Sequence, residues 1–188
     1  MALEAALENL CSELRKLRDA ITGVERTVTQ DRPQSDAVIL VDEVSDDVTE
    51  MESSCRECLD AAEAALCAVD QPFDATRLRR SLAGSQLRFH AIADLLVSHL
   101  LTYEKVSALV GFGRKHGHEW AAWVHALCLG LEKCRAALAG LVGAYLACWE
   151  EIAERLFAGP ISLHTTNIGQ QISAGALDAK ATVDAGIT

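Results

Sequence analysis

The chain has 188 residues, half of them apolar, and a formal net charge of −10. That length suits one domain able to bury a core without disulfides or metals, and only 12 Gly and 3 Pro argue against many short strands. The acidity repels a phosphate backbone at long range, which disfavours nucleic acid as a general partner; the exceptions to the charge are the local arginines Arg77, Arg79, Arg80 and Arg88 and the Arg114-Lys115-His116 run.

The first segment places apolar residues at Leu3, Leu7, Leu10, Leu14, Leu17, Ile21, Val24 and Val28. The steps alternate between four and three, the seam of a helix packed along its whole length. Polar residues around Pro33 end it. Val38-Ile39-Leu40-Val41 reads as briefly extended, after which a second seam runs Val41, Val44, Val48, Met51, Cys55, Cys58, Ala62, Ala65, Val69. Acidic residues Asp42, Glu43, Asp46 and Asp47 crowd the start of this helix, where its dipole favours them.

Asp74 is a suitable N-cap for a third helix. Its seam is Leu78, Leu82, Ser85, Phe89, Ile92, Leu96, His99, Tyr103, Val106 and Val110, with Leu87, Leu95, Leu100 and Leu109 widening the apolar face. The residues from Gly111 to Gly117 read as a turn. The fourth seam is Trp120, Val124, Leu127, Leu131, Cys134, Leu138, Leu141, Tyr145, Cys148 and Ile152, and Gly159-Pro160 ends it.

Four such helices with short connections predict an all-α, antiparallel up-down-up-down four-helix bundle, with coiled-coil-like packing. The helices are expected near 2–30, 41–70, 74–111 and 117–158. The bundle domain is 1–158; residues 159–188 have no seam and no aromatic residue, and form a C-terminal arm, extended or disordered.

No motif carries chemistry strongly. Cys55-Arg56-Glu57-Cys58 is a CxxC, but it lies mid-helix on the seam and has no second pair of ligands, so two core thiols are expected. Seven cysteines make no disulfide framework and suit a reducing, cytoplasmic compartment. The amino terminus lacks a basic signal-peptide region, and the longest uncharged run, Ala136 to Trp149, is too short to span a bilayer. His116, His118 and His125 form the only histidine cluster, without the helical spacing that bundles use for metals; His99 is expected as a core histidine beside Tyr103 or Tyr145. Neither a nucleophile elbow nor a phosphate-binding loop occurs.

The expectation is therefore a non-enzymatic interaction or adaptor module without cofactor or metal. Its partner is a protein, another copy of the chain included. The alternative is a ligand- or metal-binding bundle using the core or tip histidines.

Helix lengths locate the partner surface. At 1.5 Å per residue the last two helices should span about 55–60 Å against about 45 Å for the first two. Their joined end should project uncovered, presenting Phe112, Trp120 and Trp123 beside Arg114 and Lys115, the composition of an interface hot spot. Ile168 and Ile172 on the arm complete the expected partner-binding set, in a stretch suited to pairing with a strand edge.

Overall fold

The computed structural model describes residues 3–34, 39–69 and 75–156. Among them the protein is all-helical, with no strand. The helices are α1 (Leu3–Thr29), α2 (Ile39–Cys67), α3 (Ala75–Asp94), a π-helical segment (Leu95–Leu100), α4 (Tyr103–His116) and α5 (His118–Leu156). The connection at 70–74 between the second and third expected helices, with its Asp74 cap, and the arm 159–188 with Ile168 and Ile172 lie outside the described residues.

The seams form the core. Every seam residue of the first segment is buried, as is every one from Trp120 to Ile152 in α5; in the second seam all are buried except Val69, which lies just past the end of α2 and is partly covered. α2 starts at Ile39, so Ile39, Leu40 and Val41 are helical and not extended; the burial of Val41 in the core outweighs a weak local preference. α1 packs on both α5 and α2, α2 packs also on α3, and α4 packs on α5. Trp123 Nε1 donates to the Thr27 carbonyl at 2.8 Å, a Cβ at Gly130 would lie 2.8 Å from Val24 Cγ2, and one at Gly140 would lie 2.9 Å from Glu13 Oε2.

The third seam is where sequence and structure part. Leu78, Leu82, Ser85, Phe89, Ile92 and Leu96 are buried as expected, but His99 is exposed and Tyr103 is 58% exposed. The helix does not run unbroken from 74 to 111. The Leu101 N–H reaches back to the Leu96 carbonyl at 2.8 Å, one residue further than in an α-helix. That extra residue rotates the next turn off register, and Leu100 and Leu101 enter the core in place of His99 and Tyr103. Thr102 is then extended, and its hydroxyl accepts the Lys105 N–H at 3.2 Å, capping a new helix. The axis turns by 55° at this break. Leu87 is a second correction: it does not widen the apolar face but stands 68% exposed.

The expected turn at 111–117 is helix up to His116. Only Gly117 leaves it, at φ 104°, a backbone conformation that favours glycine. Gly113 has a different role. A Cβ there would lie 3.1 Å from Ala121 Cα and 3.3 Å from the Trp120 carbonyl oxygen, so its missing side chain lets α4 lie against α5.

Two glycines of α4, Gly111 and Gly113, should respond oppositely to the same change. A Cβ at exposed Gly111 meets nothing within 4 Å, so Gly111→Ala should stabilise by about 0.5–1 kcal/mol through helix propensity alone. Gly113→Ala drives a methyl against backbone that cannot yield, and should destabilise. Urea unfolding of the two variants measures both signs.

Candidate functional site

The residues expected at the partner surface come together where α4 hands over to α5. Phe112 and His116, one helical turn apart, stack with centroids 4.1 Å apart, and His116 Nδ1 lies 2.9 Å from the Phe112 carbonyl oxygen. Phe112 meets Trp120 edge-on at 4.9 Å, and Trp120 meets Trp123 in the same manner at 5.4 Å. Offset and edge contacts of this kind are the favoured aromatic arrangements.

This aromatic row is not the uncovered end that helix lengths suggest. Trp120 and Trp123 are each 4% exposed, and Phe112 is partly buried. The reason is the break at 95–102. A shortened α3 does not project as a straight rod; instead α4 folds onto α5, and the end of α1 covers Trp123 by accepting its indole N–H. Arg114 and Lys115 remain exposed, in the last turn of α4, where the helix dipole favours cations.

Beside the covered indole lies a groove of about 400 Å³, lined by Thr27, Asp31, Pro33, Glu119, Ala122, Trp123 and Ala126. Its walls come from the end of α1, the segment after it and the first turns of α5. Of these residues only Trp123 stands out in the sequence. Nothing in the local sequence links Thr27 or Pro33 to residues some ninety positions later, so contact between helices was needed to find them.

A second constellation lies in the middle of the core. Cys58 of α2, Ser85 of α3 and Tyr145 of α5 are all fully buried. The Ser85 hydroxyl donates to the Cys58 carbonyl at 3.0 Å, and the Cys58 thiol donates to the Ser85 carbonyl at 3.0 Å. Tyr145 Oη lies 2.9 Å from Cys58 Sγ and makes a short contact to Ser85 Oγ. Each hydroxyl has one proton, so the Tyr145 O–H completes the set by donating to Ser85. The seam carried the signal for this cluster as three polar atoms at otherwise apolar positions.

These groups are not poised for acid–base or nucleophilic chemistry. Burial pushes the Tyr145 phenol well above its ordinary range and raises the Cys58 thiol, the latter against its side-chain contacts with Ser85 and Tyr145, which lower it. Burial likewise pushes Cys55, Cys128, Cys134 and Cys148 up to about 12, and Cys11 to about 11. A thiol in that range is not a thiolate at neutral pH, and the thiolate is the nucleophile and metal ligand. All seven cysteines are free, and only Cys67 is exposed.

The histidines do not converge. His99 is exposed on the π segment and not in the core, His118 is exposed beyond Gly117, and His125 is partly buried on α5. Among the described residues no group of three or more His, Cys, Asp or Glu side chains could hold a metal ion. Among the described residues one helix, His118–Ala153, is long and apolar enough by length and composition to cross a membrane; a core helix packed on one side meets the same criterion.

Thiol titration should resolve one fast cysteine, Cys67, and six that react only on unfolding. The raised values also set a pH dependence. A thiol held at about 12 in the folded state but near 9.0 when exposed contributes stability that is intact below 9.0. That contribution is lost as pH rises from there towards 12, because only the unfolded chain gives up the proton. Urea midpoints should therefore fall across that window. Tyr145→Phe should cost about 1–2 kcal/mol, the range expected for a lost buried hydrogen bond. The effect of Ser85→Ala should be non-additive with it, because the two hydroxyls share one network.

No family model, no curated protein and no solved structure matches this chain.

Proposed function

We propose that this protein is a non-enzymatic interaction module, built as an antiparallel four-helix bundle, that docks on a protein partner at the end where α4 meets α5. The paired contacts Thr27 with Trp123, Val24 with Gly130 and Glu13 with Gly140 support opposed directions for α1 and α5, since one number falls as the other rises. The observation that carries the functional reading is the groove at this end, with its apolar wall of Trp123, Ala122, Ala126 and Pro33 between Asp31 and Glu119. Apolar floors with a few polar rim groups are the usual form of a recognition pocket.

In this reading Trp123 and Trp120 are the rigid wall and backing of the site. Phe112, Arg114 and Lys115 belong to the neighbouring rim, and the arm, with Ile168 and Ile172, adds a second contact. The six buried, neutral thiols and the Tyr145 phenol support a role without catalysis, because these groups are sealed from substrate. Seven free cysteines favour a reducing compartment such as the cytoplasm.

Ala122 is exposed on the groove wall and its side chain is dispensable for packing. Ala122→Arg fills the groove while leaving the core untouched. Photo-crosslinking from position 122 in cells should capture a discrete partner. The arginine variant, carrying a crosslinker at neighbouring Ala126, should lose that partner with an unchanged thermal melt. An unchanged crosslinking pattern in that variant would remove the groove as the docking site.

A further inference from the structure

We propose that the outer face formed by α2 and α3 is a two-fold interface between copies of this chain. The starting point is Leu87, the most exposed large apolar side chain among the described residues, at a position where the spacing pattern predicts burial. It stands in a stripe of α3 that runs Arg77, Arg80, Gly84, Leu87 and Ala91, all exposed except the partly buried Ala91. Residues spaced by three and four share one helix face.

The charges on this face are sorted by sign. In a chain of net charge −10, α3 carries Arg77, Arg79, Arg80 and Arg88 and no acid before Asp94. The first half of α2 is the reverse: Asp42, Glu43, Asp46, Asp47, Glu50 and Glu52 come with no Lys or Arg. Asp46 and Glu50 are exposed, and together with Glu43 and Glu57 they keep the same three-four spacing.

Contacts between the helices fix where these groups lie along the face. Arg88 Nε meets Glu57 Oε2 at 2.6 Å, and Lys105 Nζ, beyond the end of α3, meets Glu43 Oε2 at 2.9 Å. Going towards the start of α2 therefore goes towards the end of α3. The Arg88 ion pair puts Glu57 on the side of α2 that faces α3, and Glu50, Asp46 and Glu43 share its stripe. At 1.5 Å per residue, Glu50 and Asp46 lie about 10 and 16 Å from the level of Leu87 in one direction. Arg80 and Arg77 lie about 10 and 15 Å from it in the other.

The face is thus self-complementary about Leu87. A two-fold axis through that level sets Arg80 of each copy opposite Glu50 of the second copy, and Arg77 opposite Asp46. Each pairing occurs twice, as an isologous contact requires. The two Leu87 side chains meet at the axis. Gly84, where a Cβ would meet nothing within 4 Å, and the small Ala91 leave room on either side for the opposing leucine. The occupant is a second copy because this one chain supplies both halves of the charge pattern at matching distances. Exposed ion pairs around one leucine contact make a weak, salt-sensitive dimer.

Sedimentation equilibrium tests this with the full chain. The mass should rise from 20.2 kDa towards twice that with concentration at low salt, and fall back in high salt. Arg80→Glu should weaken the dimer by roughly tenfold or more, as should Glu50→Arg, because each variant turns attraction into repulsion. Mixing the two variants should restore association, since every reversed pair is then complementary again. Leu87→Asp should abolish the dimer with the helical circular-dichroism signal unchanged. A wild-type chain monomeric at all concentrations, an association indifferent to salt and to Arg80→Glu, or a mixture that stays monomeric would each overturn the proposal. So would retention on a polyanion by a chain that remains monomeric, which would give the arginine face to nucleic acid.

Discussion

The buried hydroxyl of Tyr145 is the constraint on which the register of three helices depends. A phenol taken fully out of water must keep a hydrogen-bond partner or lose the free energy of its hydration. Its partners are Ser85 on α3 and Cys58 on α2, so α5, α2 and α3 must meet at one level. Apolar seams alone hold that level loosely, because Leu, Val and Ala contacts are non-directional and a shifted helix still buries area. The polar cluster adds direction: a slide of one turn would leave two hydroxyls and a thiol unpaired in the core.

That level fixes the rest of the molecule in both directions. Towards the start of α2, the π segment and Thr102 turn the chain by 55°, and the short α4 returns along α5 with Gly113 as the point of close approach. That fold-back is why the tryptophans are covered. It also makes the groove, since the end of α1 must then meet the first turns of α5. Local irregularity at 95–102 thus decides which residues the far end of the protein exposes.

Chemistry and recognition are separated in space. Six of the seven thiols and the Tyr145 phenol are inside, kept neutral by burial, while the charged groups are outside and, on the α2–α3 face, sorted by sign. Interior groups of this kind set register and stability. The exterior groups act through electrostatics that salt can screen, which suits reversible contacts with other chains. The indole wall and the Leu87 face are two surfaces on different helices, so the proposed partner and the proposed second copy do not compete for one site.

The sequence by itself determined the helices and most of the core. The three-four spacing at Leu3 to Val28, Val41 to Ala65 and Trp120 to Ile152 is a strong, repeated signal, and those residues are buried. Cys55 and Cys58 were legible as core thiols for the same reason. The tertiary structure decided what a spacing pattern leaves degenerate. Between Leu95 and Val110 both the His99–Tyr103 register and the Leu100–Leu101 register are apolar enough to be buried. The choice fell to packing against α5 and α2, which accepts leucines more readily than an imidazole. The exposure of Leu87 was illegible because a one-dimensional pattern cannot say how many neighbours a helix has. The groove around Trp123 was illegible for a simpler reason: its walls come from Thr27 to Pro33 and from Glu119 to Ala126. Only the folding of the chain between them brings those two segments within contact.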